Sequence, residues 1–243
     1  MSFRMEMGFP READQAKKER WPVLIPVGTM EYHGPHCAYG CDTLVSKGII
    51  EKIAEKKDCV IMPAIWYGVA SYAVAGPEKN TIHVDCDTFE RYIYCILKSM
   101  LHGGWRNIYL VISHQVEDYL PMTLACMKAA KKLTFEYLEE TRGNGWWGVG
   151  GNADFYENLD EQDNPWNWIR VVYGLPDGAR SQTGGDHAGK YECSMLHALY
   201  PEGVKIERLG ESDEWFIRSA AEMSEELGEK MVSLSVDELI AKM

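Results

Sequence analysis

The sequence predicts an α/β protein in which helices cover both faces of a mostly parallel sheet. Three apolar runs, at 22–28, 59–68 and 107–113, are continuous rather than alternating, which is typical of strands buried on both faces. Segments with helical spacing follow each run, so strands and helices alternate as in parallel sheets joined by crossover helices. We therefore expect a three-layer α/β/α sandwich. The length and composition allow a single large domain or two small ones, and we expect one domain over residues 1–243.

The helical segments are recognised by their apolar stripes. The first covers 43–57, with Asp42 or Thr43 available as its N-cap. The second covers 87–104, where Gly103 provides the C-terminal stop. A third is expected from about residue 119 to residue 140.

The C-terminal segment, 212–243, predicts one or two amphipathic helices that pack away from the chemistry. Ser235 and Glu238 have the spacing of a capping box.

Composition and charge exclude several classes of function. The chain has 243 residues and a net charge of −12, which argues against a nucleic-acid partner. No run approaches the roughly 18 apolar residues of a membrane span, and the first residues lack the apolar core of a signal peptide. Seven cysteines without CxxC spacing favour a reducing cytoplasm, and we expect Cys86, Cys95 and Cys126 to be small core residues.

Metal-capable side chains crowd the loop after the first predicted strand, which reads GTMEYHGPHCAYGCD over 28–42. Glu31 and His33 are two residues apart, and Asp42 follows a glycine-bearing excursion. Carboxylates and imidazoles are ligands of divalent transition metals. His36 is a further metal-capable residue of this loop. The alternative is an ordinary loop, in which Asp42 caps a helix and His33 satisfies local backbone.

Two further stretches belong to the same edge of the predicted sheet. The third strand ends in VISHQVED, which brings His114 and Glu117 to the carboxyl edge, where sites of open α/β sheets lie. Downstream, two glycines lead into His187, and Glu192 follows roughly 1.4 helical turns later. A histidine at a glycine-rich helix start can also be purely structural.

Taken together, these motifs resemble those of the creatininase (creatinine amidohydrolase) family. The first motif, PVGTMEYHGPHCAYGCD, is the most specific; GGDHAGKYECS is similar to a later family element, and YLVISHQVED matches only weakly. The resemblance implies a creatininase-like sandwich, assembly into homo-oligomers that are usually hexamers, and two divalent ions per chain, Zn²⁺ or Mn²⁺. By the same resemblance, Glu31 and His114 would hold one ion and His33 the other, with Asp42 bridging them. Glu192 would be the last ligand, and Glu117 is its rival.

The resemblance also implies a hydrolase acting on a small polar, cyclic carbonyl compound. A hydroxide between the two ions would attack the carbonyl, and His187 would serve as general acid and base. A cyclic amide cleaved at its C–N bond is the first substrate class; a cyclic polyol diketone opened at a C–C bond, as in inosose hydrolases, is the alternative. A non-catalytic binding protein on the same fold is the second alternative.

Departures from the family pattern concern the pocket wall. Gln115 and Val116 replace a glycine pair after the strand-end histidine, and Lys190 replaces a common carboxylate. The glycine-rich stretch 143–174 contains four tryptophans and predicts a lid, a subunit interface or a segment anchored to the core.

Overall fold

The computed structural model describes residues 2–114 and 120–243, and its central feature is a parallel sheet. Within the described chain the sheet has five strands in the spatial order β1-β3-β2-β4-β5, every neighbouring pair being parallel. The strands are β1 (Ser2–Arg4), β2 (Val23–Val27), β3 (Cys59–Ile61), β4 (Ile108–Ile112) and β5 (Ile169–Tyr173).

Helices cover both faces of this sheet. They are α1 (Pro10–Lys18), α2 (Cys41–Lys56), α3 (Cys86–His102), α4 (Pro121–Arg142), α5 (Ala153–Glu157), α6 (Asp177–Thr183), α7 (Lys190–Leu199) and α8 (Glu225–Ala241). Helices α1, α3 and α4 share one apolar core with the sheet, and α2, α6, α7 and α8 share the other. The predicted three-layer α/β/α arrangement with a mostly parallel sheet is thereby confirmed.

The central strands are buried on both faces, as their continuous apolar runs predict. In β4, Ile108, Leu110 and Ile112 point into the first core, whereas Tyr109 and Val111 point into the second. This alternation is the two-residue period of a strand. Every residue of β2 and β4 is buried, so neither strand needs a polar face.

The sequence interpretation missed β1, α1 and β5, as well as the short helices α5 and α6. Strand β1 has only three residues, and α1 buries little besides Ala13 and Ala16. Strand β5 lies within the tryptophan-rich stretch, at the edge of the sheet, and most of its residues are only half-buried. Short or half-exposed edge elements lack the continuous apolar run that marks the central strands.

Helices α2 and α8 have N-caps other than the predicted ones. Helix α2 begins at Cys41 after Gly40, and no side chain caps it, so the expectation that Asp42 or Thr43 is its N-cap was wrong. The carboxylate of Asp42 is therefore free for other contacts. The predicted capping box at Ser235 and Glu238 was also wrong, because α8 begins ten residues earlier, after Ser224, whose hydroxyl accepts the Leu227 N–H at 3.2 Å.

Two smaller expectations are settled by burial and position. Cys126 is buried and Cys86 half-buried, but Cys95 is exposed, so it is not a core residue.

Trp168 lies beside the start of β4, where its carbonyl accepts the Ile108 N–H at 2.8 Å. The tryptophan-rich segment therefore approaches the amino ends of the strands, and a lid over the carboxyl edge of its own chain is contradicted.

The same segment is anchored to helix α4 by aromatic packing. The rings of Trp146 and Trp166 each lie 5.5 Å from the ring of Phe135 in α4. The Arg106 guanidinium lies 4.4 Å from the ring of Trp168, which is buried. These contacts match the predicted anchoring to the core.

The topology reverses direction beside β2. From β2 the chain crosses through α2 to β3 on one side, and α3 then returns it to β4 on the other side. Helices α2 and α3 lie on opposite faces, so a crevice opens between the carboxyl ends of β2 and β4. No helix of the described ranges is long and apolar enough to cross a lipid bilayer.

The carboxylate of Glu51 joins α2 to β1 and to the end of α7. It accepts hydrogen bonds from Tyr200 Oη at 2.6 Å and Lys47 Nζ at 2.9 Å, and it also pairs with Arg4. Burial raises the pKa of Glu51, but the bonds from Tyr200, Arg4 and Lys47 prevail and lower it from 4.5 to about 2.

We expect this carboxylate to make stability dependent on pH. Because its folded pKa lies below the unfolded one, its contribution is complete above the unfolded value and is lost as the pH falls towards about 2. Glu51→Gln should flatten the fall in unfolding free energy between pH 5 and 2 by about 1 kcal/mol, after screening. Urea titrations at several pH values measure this. The exposed Glu55→Gln variant is the control, and equal slopes in both variants would contradict the account.

Candidate functional site

The loop after β2 folds back so that its acidic and imidazole side chains meet the start of α2. At Gly28 a Cβ atom would lie 2.5 Å from the Thr43 backbone nitrogen, so only glycine allows this close approach. Gly34 has φ +76°, a left-handed conformation that turns the chain between His33 and His36. The loop thereby brings Asp42 back towards Glu31 and His33.

The two carboxylate oxygens of Asp42 face two different imidazoles. Oδ1 lies 3.3 Å from His33 Nε2, and Oδ2 lies 3.1 Å from His114 Nδ1. All three side chains are buried. Asp42 thus lies between a histidine of the β2 loop and a histidine at the end of β4.

Each imidazole also faces a second carboxylate. His33 Nε2 lies 3.4 Å from Glu192 Oε2, and His114 Nδ1 lies 3.2 Å from Glu31 Oε2. The structure therefore brings together all five residues that the sequence interpretation proposed as ligands. Glu117, the alternative to Glu192, lies outside the described residues.

Backbone groups orient the side chains of the cluster. His33 Nδ1 lies 3.0 Å from the Glu31 carbonyl, and a carbonyl only accepts, so Nδ1 carries the proton and Nε2 faces the carboxylates. Glu192 Oε2 accepts the Ala188 N–H at 2.6 Å. The Asp186 carboxylate accepts the N–H groups of Tyr191 and Glu192, at 3.2 and 3.0 Å, and so holds the first turn of α7.

The carboxylates of the cluster stabilise positive charge on the groups beside them. Burial lowers the pKa of His33, but the Glu192 and Asp42 carboxylates outweigh it and raise that pKa well above its usual value. Burial likewise lowers the pKa of His114, yet Asp42 and Glu31 raise it to about 10. In return, although burial raises the pKa values of Asp42 and Glu192, the nearby imidazoles lower both.

These residues fit divalent metal ions. Glu31 Oε2, His33 Nε2, Asp42 Oδ2 and His114 Nε2 are buried, and no described group meets them at hydrogen-bonding angles. Buried polar atoms ordinarily have hydrogen-bond partners, so four such atoms without partners indicate a site that binds a ligand. Carboxylate oxygen and imidazole nitrogen are donors that Zn²⁺ and Mn²⁺ accept. One triad, Glu31, Asp42 and His114, has its ligand atoms within 4.8 Å of one another.

His187 lies against this cluster, as the sequence interpretation expected. Its ring lies 4.3 Å from the ring of His33 and 5.4 Å from the ring of Phe216. Its Nε2 lies 3.1 Å from the Tyr32 carbonyl, so Nε2 donates there and Nδ1 keeps its lone pair. His187 also forms a group of ligand atoms within 4.8 Å with Glu31 and His33.

A cavity of about 500 Å³ opens onto the cluster. Its polar lining comprises Glu31, Asp42, Ser113, His114, Arg180, Asp186, His187 and Glu192. The rest of the wall is formed by Gly185, by Tyr191 and by the apolar side chains of Val45, Val74, Leu120, Leu175, Met195 and Met231. A small molecule in this cavity would therefore meet polar groups at the cluster and apolar side chains elsewhere.

Several neighbours of the cluster were missed from sequence. His36, noted only as metal-capable, is instead buried with its Nε2 2.9 Å from the Ala188 carbonyl, which ties the β2 loop to the segment before α7. Asp186 was recognisable only as one residue before His187. Phe216 and Met231 come from the C-terminal segment that was expected to stay away from the chemistry, and this expectation was wrong for these two residues.

Comparison with known proteins agrees with this architecture. The fold is that of creatininases: a solved structure of creatinine amidohydrolase (creatininase) superposes with a TM-score of 0.68 at 18% identity, covering 96% of this chain and 93% of that one. A structure described as "Creatininase Mn" gives a TM-score of 0.68 at 18% identity and covers 98% and 95%. A mutant creatininase of "Zn-Zn type" gives 0.67 at 19% identity, with the same two coverages.

The sequence comparison identifies the family. The model "Creatininase: Creatinine amidohydrolase" matches residues 9–243. The chain therefore belongs to the creatininase family, as its motifs indicated.

Two relatives are named as hydrolases. The 3-dehydro-scyllo-inosose hydrolase of Thermotoga maritima is 30% identical over 180 residues, which are 74% of this chain and 50% of that protein. The creatinine amidohydrolase of Pseudomonas putida is 24% identical over 196 residues, which are 77% of this chain and 67% of that protein. The chain thus spans about half the length of the Thermotoga relative it matches.

Proposed function

We propose that this protein is a metal-dependent hydrolase that opens a small polar cyclic amide at its C–N bond. The observation that carries the proposal is the position of Asp42, whose two oxygens lie 3.3 and 3.1 Å from nitrogens of different imidazoles. A carboxylate shared in this way suits two neighbouring ions. The hydrolase names of both relatives support the reaction class.

In the proposed site, two residues would bind each ion, and the Asp42 carboxylate would be a ligand of both. Glu31 and His114 would hold one ion, and His33 and Glu192 the other, with two Zn²⁺ or Mn²⁺ ions per chain. When bound, such ions acidify water and polarise a carbonyl oxygen. The carboxyl groups of Glu31, Asp42 and Glu192, of which the first two are buried, supply the negative charge that two dications require.

The side chain of His187 is suited to moving the proton that ring opening requires. Because Nε2 donates to the Tyr32 carbonyl, Nδ1 is the nitrogen that can accept a proton from water and return it to the leaving nitrogen. Tilted ring contacts with His33 and Phe216 restrict the orientation of the His187 ring. Water then adds across the C–N bond, giving a carboxylic acid and an amine.

The cavity wall favours a cyclic amide over a cyclic polyol. A ring with a hydroxyl on every carbon needs a hydrogen-bond partner for each, because an unpaired buried hydroxyl costs roughly 1–3 kcal/mol. Nine of the sixteen lining residues carry polar side chains, but six are aliphatic or thioether side chains that offer a hydroxyl no partner. A ring with one carbonyl and one nitrogen can face the cluster and leave its other edge against that apolar wall.

Hydrolytic C–C opening of a polyol diketone is the second candidate. It is favoured by the 30% identity to a 3-dehydro-scyllo-inosose hydrolase. The same proton donor, His187, would protonate the carbon that leaves.

A substrate panel separates the two candidates. Metal-free protein reloaded with Zn²⁺ or Mn²⁺ is incubated with creatinine, hydantoins and small lactams, and with diketo-inositols, and the addition of one water is followed by mass spectrometry and NMR. We expect metal-dependent opening of a cyclic amide. Opening of the diketone alone would replace the proposal by the C–C alternative. Metal binding without turnover on any ring would favour the non-catalytic binding protein.

Phe216 offers a test of how His187 is positioned. Phe216→Ala removes one of the two ring contacts of His187, so we expect kcat to fall by about tenfold while the metal content is unchanged. Phe216→Tyr should restore most of kcat because it keeps the ring. Tyr92→Ala, at an exposed aromatic residue of α3 outside the cavity lining, is the control. Wild-type kcat in Phe216→Ala would remove Phe216 from the account.

We also infer that the protein acts in the cytoplasm as a homo-oligomer, a hexamer by family resemblance, without nucleic-acid or membrane partners. Large apolar side chains that are exposed in the single chain support assembly: Met7, Phe9, Trp147 and Trp215. Light scattering tests this inference. A mass equal to one 27.6 kDa chain would contradict it.

A further inference from the structure

Cys41 is the residue of the site that neither the motif comparison nor the proposed ligand set uses. It is the first residue of α2, directly before Asp42, and its side chain is fully buried. Its sulfur, a nitrogen of His33 and an oxygen of Glu192 lie within 4.8 Å of one another. The cysteine therefore lies on the side of the cluster where His33 and Glu192 face each other.

His33 shows that this group of atoms lacks a ligand. The side chain of His33 is completely buried, and its Nε2 has no hydrogen-bond partner in residues 2–114 and 120–243. Its other nitrogen is engaged by the Glu31 carbonyl at 3.0 Å, so Nε2 is the atom available to an ion. An imidazole nitrogen, a carboxylate oxygen and a thiol sulfur together form a donor set that zinc accepts.

We propose that Cys41 is a ligand of the ion held by His33 and Glu192, and that it makes this position selective for Zn²⁺ over Mn²⁺. The inference rests on the proposed metal-dependent function. On binding, the thiol gives its proton to solvent as the sulfur–metal bond forms. Thiolate is a soft ligand that prefers zinc, whereas manganese prefers oxygen donors.

The two positions of the site then differ in chemistry. Glu31, Asp42 and His114 offer only oxygen and nitrogen, so their position takes either ion. The position with Cys41 retains zinc. A protein loaded from a mixture of both ions should therefore contain zinc at one position and exchangeable manganese at the other.

The thiol of Cys41 has a partner in the metal-free protein, since the Cys37 thiol hydrogen-bonds with both Cys41 and Cys193. Within this group, Cys193 provides the contrast. It is also buried, but its sulfur lies 3.4 Å from the Ala188 carbonyl and 3.4 Å from His36 Nε2. Its thiol is thus engaged away from the ligand atoms. Cys193→Ser is a matched control for Cys41→Ser, since both replace a buried thiol near the cluster by a hydroxyl.

Cobalt provides the test because thiolate bound to Co²⁺ gives an intense sulfur-to-metal charge-transfer band in the near ultraviolet. Metal-free protein is loaded with Co²⁺, its cobalt content is measured by elemental analysis, and its absorption spectrum is recorded. We expect the band in the wild type, its loss in Cys41→Ser and its retention in Cys193→Ser, with circular dichroism verifying the fold of each.

Failure of this inference can be told apart from failure of the proposed function. Stoichiometric cobalt without the charge-transfer band in the wild type would overturn the role of Cys41 and leave the metal site standing. A band that persists in Cys41→Ser would do the same. No cobalt binding at all would overturn both the inference and the proposed function.

Discussion

Asp42→Asn should release both metal ions and lower kcat/KM by more than about 1,000-fold. Asparagine keeps the shape of the side chain but offers one oxygen and a nitrogen that cannot accept, so it cannot join two ions. The native carboxylate lies 3.3 Å from His33 Nε2 and 3.1 Å from His114 Nδ1. Removing its charge also leaves the two buried imidazoles with less negative charge around them.

Elemental analysis after dialysis, together with steady-state kinetics, measures this effect. Asp87→Asn is the matched control, because Asp87 is likewise the second residue of a helix but is exposed and does not line the cavity. We expect that control to keep its metals and its activity. An Asp42→Asn protein that still holds two ions per chain would refute the bridging role.

His187→Ala should keep both metal ions and lower kcat by about 100- to 10,000-fold, the range expected when a general acid and base is removed. The ring lies 4.3 Å from that of His33, and its Nε2 donates to the Tyr32 carbonyl. Its Nδ1 is therefore the group that loses and regains the proton. Metal content and kcat are measured together on the same preparation.

The control for this variant is His197→Ala, on the same side of the sheet but outside the cavity lining. Unchanged turnover in His187→Ala would remove His187 from the mechanism. Loss of metal together with turnover would make it a ligand, a role its distance from Glu31 and His33 also allows.

The central fold could be predicted because its signals are local. Strands β2 and β4 are wholly buried, so they appear in the sequence as continuous apolar runs. The edge strand β5 is half-exposed and includes Arg170, which pairs with Tyr109 and the Lys242 carbonyl, and no local pattern marks it. Segment β5 is a strand because it pairs with β4, since its own residues show no strand pattern.

The candidate site was predictable in part for a related reason. Glu31, His33 and Asp42 share one short loop, and topology alone brings the end of β4 to that loop. Phe216 and Asp186 depend on how the C-terminal segment and α7 pack, which spacing along the chain does not encode. The sulfur of Cys41 became relevant only through its distance to Glu192, 151 positions along the chain.

Anomalous diffraction from crystals of the zinc-loaded protein tests the proposed two-metal site most directly. We expect two anomalous peaks in each chain, one beside Glu31 and His114 and one beside His33 and Glu192, with the Asp42 carboxylate between them. A single peak, or peaks that do not contact Asp42, would contradict a two-metal hydrolase site in this protein.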